Sequence, residues 1–243
     1  MEVAYNKSPM SISTPERTST GSIVVNRAWS CILFDLDGTI TDSAPGIVAR
    51  LAKMFAALNL PVPSEEELLH WVGPPMLESL ELRAGMSPTE AFDALNVYRS
   101  ISDADGPWTG SAVYPGIAGL IKRIAASGIP LAITSSKPES QIHAVLDHFG
   151  LTEYFTVICG ASEDETRSAK ADVVAEAIVR LTERGVDLTH TVLVGDRHHD
   201  VEGAAVHGIP TIMVEWGYGS PAEATHAMAV VHSADQLSKL LLG

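Results

Sequence analysis

Residues 31–39 have the sequence CILFDLDGT, in which an apolar segment ends in two carboxylates one residue apart. Four consecutive apolar residues predict a strand that is buried on both faces, as in a parallel sheet. Ligands of such sheets bind at the carboxyl ends of the strands. Asp35 and Asp37 follow the strand directly, and the two-residue period of an extended chain points both to the same side. The segment therefore predicts a catalytic or binding site at a strand end.

The pair of carboxylates also indicates the kind of chemistry. Ionising both Asp35 and Asp37 is costly unless a cation lies between them or one keeps its proton and serves as a general acid. Gly38 lets the backbone turn and approach a ligand closely. The alternative is an ordinary Asp-Gly turn after a strand. The pentapeptide DLDGT is much rarer by chance than Asp-Gly alone, which favours a functional site.

Composition restricts the partners of the 243-residue chain. A net charge of -14 argues against nucleic acid or an anionic membrane surface as a partner, because both attract clustered Lys and Arg. No segment approaches the roughly 20 apolar residues of a membrane span. Residues 1–28 lack the apolar core of a secretory signal and predict a disordered tail. We expect a cytoplasmic monomer or homodimer, with Cys31 and Cys159 as buried reduced thiols.

Two kinds of secondary structure follow the first strand. From Ala44 to about Asp105, apolar residues at spacings of three and four predict about four helices, which Pro and Gly residues separate. After Pro115, predicted strands alternate with predicted helices to the end of the chain, and this order is typical of a parallel sheet covered on both faces. The sequence therefore predicts an α/β core with an all-helical insertion after the first strand.

Four segments of this chain carry a resemblance to a known family. The DLDGT run resembles the first motif of the haloacid dehalogenase-like hydrolases, most of which are phosphatases. The segment LAITSSK at 131–137, then Lys170, then VLVGDRHHD at 192–200 match the family's later motifs in the same order. Shorter runs at 71–76, 114–117 and 216–219 resemble its phosphoglycolate phosphatase-like branch.

The resemblance implies a fold and a domain division. The fold is a Rossmann-like parallel sheet with a type 1 helical cap inserted after the first strand. We expect the catalytic core to comprise residues 29–44 and 113–243, and the cap to comprise residues 45–112. A cap of this size encloses a small cavity, and its closure excludes water.

The resemblance also implies roles for the motif residues in phosphoryl transfer. Asp35 is expected to attack phosphorus and form an aspartyl-phosphate, and Asp37 is expected to act as general acid and then as general base. Asp35, the main-chain carbonyl of Asp37 and Asp196 would hold Mg²⁺. Asp200 is expected to orient these ligands, and a helix N-cap is its alternative role.

Three residues, Thr134, Ser135 and Lys170, are expected to bind the phosphoryl group. The hydroxyl of Thr134 and the amide of Ser135 would donate to its oxygens, whereas spacing alone equally allows a turn that caps the next helix. Lys170 at a helix start is the expected cation beside Asp35. Arg167 is the alternative candidate for this cation. If Lys170 has that role, Arg167 is a candidate for substrate binding, as is Arg99 in the insertion.

The expected activity is therefore Mg²⁺-dependent hydrolysis of a small phosphorylated metabolite, with phosphoglycolate as the leading type. The alternatives are a phosphomutase or 5'-nucleotidase of the same superfamily, and a sensor that reuses the fold without catalysis. His198 and His199 suggest zinc, but adjacent histidines point in different directions and no third ligand lies at the right spacing. Hard oxygen ligands favour Mg²⁺.

Overall fold

The structure is a computed structural model that describes residues 28–243 of the chain. The tail predicted over residues 1–28 lies outside these residues, apart from its last one. The described chain forms an α/β core with an all-helical insertion after the first strand, which confirms the predicted fold class. None of the helices in this part of the chain is long and apolar enough to cross a lipid bilayer.

The core is built on a parallel sheet. The strands, in chain order, are β1 (Cys31–Phe34), β2 (Thr41–Asp42), β3 (Ala112–Val113), β4 (Leu131–Pro138), β5 (Val157–Ala161), β6 (Thr191–Gly195), β7 (Thr211–Val214) and β8 (Ala229–Val231). Six of them form one parallel sheet in the order β5-β4-β1-β6-β7-β8. Strand β1 therefore lies inside the sheet, between β4 and β6.

Helices cover both faces of this sheet. The helices are α1 (Ala44–Ala57), α2 (Glu65–Leu69), α3 (Met76–Leu82), α4 (Pro88–Asp105), α5 (Ile117–Ala126), α6 (Glu139–His148), α7 (Lys170–Glu183), α8 (His198–Ala205) and α9 (Ala234–Leu242). Ile32 and Phe34 of β1 join an apolar cluster with α5, α6 and α9, whereas Leu33 joins a cluster with α7 and α8. Every residue of β1 is fully buried, which explains its unbroken apolar sequence.

The inserted segment has an apolar core of its own. Helices α1 to α4 pack around a cluster that includes Leu51, Met54, Trp71 and Leu80. Two of the helices begin at a capping box, in which a serine hydroxyl and a glutamate three residues later satisfy each other's backbone amides; these pairs are Ser64–Glu67 and Ser87–Glu90. The segment is therefore a separately packed cap over the carboxyl end of the sheet.

Three local features differ from the sequence-based expectation. Strands β2 and β3 pair antiparallel at the two points where the chain enters and leaves the cap, and two-residue strands are too short to give a periodic signal. Strand β4 continues to Pro138, beyond the predicted end at Ile133, with a register shift against β5 after Thr134. Helix α8 begins at His198 instead of Asp200.

Candidate active site

The first part of the site is the turn that follows β1. Asp35 and Asp37 are both buried, with 5% and 7% of their surface exposed, and they lie where β1 reaches the carboxyl edge of the sheet. Gly38 has a φ of +85°, and a Cβ atom there would lie 2.3 Å from Asp196 Oδ2. Only glycine accommodates both this backbone conformation and this approach. The turn therefore places the residues that follow β1 against Asp196, which follows β6.

Three carboxylates meet at this edge of the sheet. Asp35, Asp196 and Asp200 are buried, and each offers an oxygen within 4.8 Å of the others' oxygens. Burial raises the pKa of Asp35 to about 6 against the opposing effect of Lys170. The pKa of Asp196 is raised well above its usual range by burial and then by Asp200 and Asp35. Such a cluster is electrostatically unfavourable when ionised, and a hard divalent cation would relieve it.

The neighbouring histidines take no part in this cluster. The expectation that the adjacent histidines point in different directions is wrong, because the rings of His198 and His199 are 3.8 Å apart. His198 Nδ1 lies 2.9 Å from Glu223 Oε2 instead of approaching the aspartates. Within residues 28–243, the three aspartates are the only group of potential ligands close enough to share a metal ion. The donor set is therefore all oxygen, which fits Mg²⁺ better than zinc.

Lys170 supplies the positive charge beside the carboxylates. Its ammonium lies 2.7 Å from Asp35 Oδ1, 2.7 Å from Asp200 Oδ1 and 2.8 Å from the Thr134 carbonyl. Burial alone lowers the pKa of Lys170, but Asp200 and Asp35 outweigh this effect, so its pKa lies above the usual value. At Gly203 of α8, a Cβ atom would lie 2.6 Å from Lys170 Cγ, so a small residue is needed there.

Asp200 is the third residue of α8, so its alternative role as the helix N-cap is wrong, and Arg197 is the N-cap instead. Its Oδ2 accepts hydrogen bonds from the backbone amides of Asp196 and Arg197, at 3.1 and 3.0 Å, at the start of α8. Its Oδ1 contacts Lys170. Asp200 therefore fixes the loop that carries Asp196 and holds Lys170 at the same time.

The phosphate-binding candidates lie in the adjoining strand β4. Thr134 is fully buried, and its hydroxyl has no hydrogen-bond partner among the described residues. Ser135 is also buried, and its hydroxyl accepts a hydrogen bond from the Lys137 amide. A buried hydroxyl without a partner is unfavourable unless a ligand completes it. The donation from Thr134 to a phosphoryl oxygen stays a prediction, which the unpartnered hydroxyl supports.

The two arginines considered as substrate ligands form other contacts. Arg167 pairs with Glu139 at 3.6 Å, and it is Lys170 that contacts Asp35. Arg99 reaches from the cap helix α4 to the core, where it donates to the Glu163 carbonyl at 2.8 Å and pairs with Glu165. Neither arginine lines the cavity beside Asp35 and Asp37. Their expected role in substrate binding therefore remains a prediction without support from these contacts.

Sequence reasoning missed two residues near the turn that carries Asp35 and Asp37. Lys137 Nζ lies 2.7 Å from Asp37 Oδ2, and both side chains are buried. Tyr218 accepts hydrogen bonds from the Ser43 and Ala44 amides, and its own amide donates to Asp196 Oδ2 at 2.7 Å. Both residues lie in motif segments that carry the family resemblance, but their partners are distant in sequence.

A small cavity lies between the turn that carries Asp35 and Asp37 and the residues of the cap. Its volume is about 50 Å³, and the residues around it include Asp35, Asp37, Trp71, Ser136, Lys137 and Gln141. A larger groove of about 620 Å³ lies on the cap itself, and none of the acidic site residues borders it. The cavity beside Asp35 and Asp37 is therefore the smaller of the two, and drug-sized ligands need several times its volume.

Comparison with known proteins places these features in a family. A family model described as haloacid dehalogenase-like hydrolase matches residues 32–214, which include all four motif segments. The solved structure of a predicted phosphatase from Clostridium acetobutylicum superposes with a TM-score of 0.81 at 33% identity, over 87% of this chain and 97% of that one.

Curated relatives carry three different names. Tyrosine-protein kinase PtkA of Mycobacterium tuberculosis is 41% identical over 86% of this chain and 72% of the relative. A 5'-nucleotidase of Pseudomonas aeruginosa is 33% identical over 79% of this chain and 85% of the relative. A phosphoglycolate phosphatase of Rhodobacter capsulatus is 31% identical over 87% of this chain and 96% of the relative. Family membership by itself therefore leaves the substrate undetermined.

The raised pKa of Asp35 predicts a pH-dependent effect of Asp35→Asn on stability. In the metal-free protein, the Asp35 carboxyl binds its proton more tightly in the folded than in the unfolded state. Its contribution to the stability of the folded state is therefore full below about pH 4 and is lost as the pH rises through about 6. Asparagine does not ionise. Between pH 4 and pH 8, the free energy of unfolding of Asp35→Asn should rise relative to wild type by up to about 3 kcal/mol. Urea denaturation in the presence of a chelator measures this difference.

The matched control is Asp187→Asn on the surface. Hydrogen bonds from Thr189 lower the pKa of Asp187, so its contribution to stability is lost only as the pH falls below about 4, and the difference between Asp187→Asn and wild type should stay nearly constant from pH 4 to pH 8. A difference between Asp35→Asn and wild type that stays constant from pH 4 to pH 8 would contradict the raised pKa.

Proposed function

The chain belongs to the haloacid dehalogenase-like hydrolases, and we propose that it is a Mg²⁺-dependent phosphatase of small metabolites, with phosphoglycolate-type esters as its leading substrates. Its enzyme class is that of hydrolases acting on phosphoric monoesters. The observation that carries the proposal is the buried cluster of Asp35, Asp196 and Asp200 around Lys170 at the edge of a parallel sheet.

The residues fit a magnesium ion. Asp35, the main-chain carbonyl of Asp37 and Asp196 would hold it, and Asp200 supports the loop of Asp196 through two backbone amides. When bound, the ion supplies positive charge that offsets the carboxylates and the phosphate oxygens. Its affinity for the site also depends on ionised carboxylates, whose pKa values are raised in the metal-free protein.

The side chains divide the chemistry between them. Asp35 attacks phosphorus, a new carboxylate-phosphorus bond forms, and the bond from phosphorus to the leaving oxygen breaks. Asp37 gives its proton to that oxygen, then takes a proton from the water that attacks the aspartyl-phosphate and releases phosphate. Lys170 keeps Asp35 in place, and the Thr134 hydroxyl donates to a phosphoryl oxygen.

The enclosed cavity supports a small substrate. At about 50 Å³ in the closed cap, it is too small for a nucleoside, and larger substrates require the cap to open further. We also propose that the protein acts in the cytoplasm on a small metabolite, as a monomer or homodimer, without nucleic-acid or membrane partners. The net charge of -14 supports the proposal that nucleic acids and membranes are not partners.

Protein-tyrosine phosphorylation is a second candidate function, because the relative of 41% identity is named as a tyrosine-protein kinase. An aspartyl-phosphate is itself a phosphoryl donor, so a hydroxyl that replaces water as the acceptor converts hydrolysis into transfer. A tyrosine of another protein has to enter the cavity for this reaction, and the closed cap leaves no room for it. We therefore rank hydrolysis first.

Chelation should abolish turnover, and Mg²⁺ should restore it, with Mn²⁺ or Co²⁺ as substitutes. Asp196→Asn should weaken Mg²⁺ binding measured by calorimetry at least tenfold, because it removes a charged ligand. His198→Gln is the control and should leave Mg²⁺ affinity near the wild-type value. Stoichiometric zinc in the isolated protein, together with indifference to Mg²⁺, would contradict the all-oxygen site.

Substitution of the two β1 carboxylates should separate their roles. Asp35→Asn should fold but lose turnover by several orders of magnitude, because it removes the nucleophile. Asp37→Asn should slow both half-reactions and let a phosphorylated enzyme accumulate, which rapid-quench labelling detects. The nucleophile assignment is wrong if Asp35→Asn keeps a tenth of the wild-type activity.

The substrate is decided by kcat/KM for 2-phosphoglycolate, glucose 6-phosphate and a nucleoside monophosphate, each with Mg²⁺. We expect 2-phosphoglycolate to be the best of the three, because it has the smallest leaving group and the cavity beside Asp35 and Asp37 is small. A tenfold preference for the nucleotide would favour the 5'-nucleotidase alternative. Conversion of β-glucose 1-phosphate to glucose 6-phosphate would indicate a mutase, and transfer of label from ATP to a tyrosine peptide would indicate a kinase.

A further inference from the structure

Tyr218 belongs to the core, but its hydroxyl contacts the point where the chain enters the cap. The residue lies in the loop that follows β7. Its hydroxyl accepts hydrogen bonds from the backbone amides of Ser43 and Ala44, at 2.6 and 2.9 Å. The same hydroxyl donates to Asp42 Oδ1 at 2.9 Å. These three contacts lie within residues 42–44, which join the core to the first helix of the cap.

The Tyr218 hydroxyl takes the place of a local helix N-cap. The first backbone amides of a helix have no partner within that helix. Ser43 occupies the N-cap position of α1, but its side chain makes no capping hydrogen bond, and its hydroxyl is buried without a partner among the described residues. Helices α2 and α4, in contrast, begin at their own capping residues, Ser64 and Ser87. The start of α1 is therefore satisfied from the core.

The backbone of the same residue is fixed to Asp196. The Tyr218 amide donates to Asp196 Oδ2 at 2.7 Å. A Cβ atom at Gly217 would lie 2.4 Å from this oxygen, and a Cβ atom at Gly219 would lie 1.9 Å from the Asp196 carbonyl oxygen. Segment 217–219 thus packs closely around Asp196, and a shift of that residue is transmitted to the Tyr218 ring.

We infer that Tyr218 is a positioning residue that fixes the Asp196 carboxylate and the start of the cap relative to each other. Its amide holds Oδ2 of Asp196, and its hydroxyl holds α1. The inference rests on the proposed function, in which Asp196 binds Mg²⁺. An ion on Asp196 then favours one position of α1, and the hold on α1 favours by the same free energy the position of Asp196 that binds the ion.

Tyr218→Phe tests the link, because it removes the hydroxyl and keeps both the amide and the ring that packs against the cap. Mg²⁺ binding is measured by calorimetry without substrate. We expect the affinity to fall about three- to tenfold, which is less than the loss that follows when a group in direct contact with a metal ligand is removed. All of the proposed ligands are unchanged in this variant.

The position of the cap is measured with spin labels at Leu82→Cys in α3 and Val206→Cys after α8. Both positions are exposed, at 74% and 71%, whereas Cys31 and Cys159 are buried. Mg²⁺ should narrow the distribution of label distances when Tyr218 is present. The narrowing should be lost when Tyr218→Phe is added to the labelled protein.

Two further variants distinguish positioning from stability alone. Ser87→Ala removes the N-cap of α4 and should lower the unfolding midpoint, as Tyr218→Phe does, but it should leave Mg²⁺ affinity unchanged. Asp42→Ala removes the acceptor of the Tyr218 hydroxyl and should weaken Mg²⁺ binding by a smaller factor than Tyr218→Phe. Circular dichroism checks the folding of each variant, and Asp42→Ala decides the question if Tyr218→Phe does not fold.

The outcomes separate this inference from the proposed function. Wild-type protein that binds Mg²⁺ no more tightly than Tyr218→Phe, or an equal loss of affinity in Ser87→Ala, would overturn the role of Tyr218 and leave the phosphatase function standing. Wild-type protein that binds no Mg²⁺ would overturn both.

Discussion

The structure of this protein depends on the burial of several carboxylates around one lysine. Asp35 and Asp200 lie 2.7 Å from the Lys170 ammonium, and Asp196 lies close to both carboxylates. Removing such charges from water is costly, and a single ammonium does not neutralise the three carboxylates. The surrounding elements offset this cost. The cluster receives a charge or a backbone amide from β1, from the end of β6 and from the first turns of α7 and α8. In the proposed function, a divalent cation and a phosphoryl group complete this site.

The cap depends on the same edge of the sheet. Its contacts with the core include the ion pair between Arg99 and Glu165, and a hydrogen bond of 2.5 Å from Arg197 to the Val72 carbonyl. Arg197 directly follows Asp196, so the loop that carries a carboxylate of the cluster also holds the cap. Tyr218 contributes from the other side, since it binds Asp196 through its amide and the start of α1 through its hydroxyl. Closure of the cap and the geometry of the cluster are therefore physically connected.

The names of the relatives describe two kinds of phosphoryl transfer, to water and to tyrosine. In the mechanism proposed for this chain, the two would differ only in the acceptor of the second step. The cap would then control which acceptor reaches the aspartyl-phosphate.

The sequence by itself was sufficient for the fold class and for Asp35, Asp37, Thr134 and Asp196 as residues at the carboxyl edge of the sheet. These follow from short segments, because an apolar strand and the polar residues directly after it are local features, and the carboxyl ends of parallel strands lie at one edge. Only the tertiary structure decided the partners of the charged side chains. The contact of Lys170 with Asp35 is the one that was expected, whereas the contacts of Arg99 with Glu165 outside the cavity and of Lys137 with Asp37 were not. Such contacts join residues up to 135 positions apart, and they depend on how each helix is rotated against the sheet and where the cap lies, which no local pattern specifies.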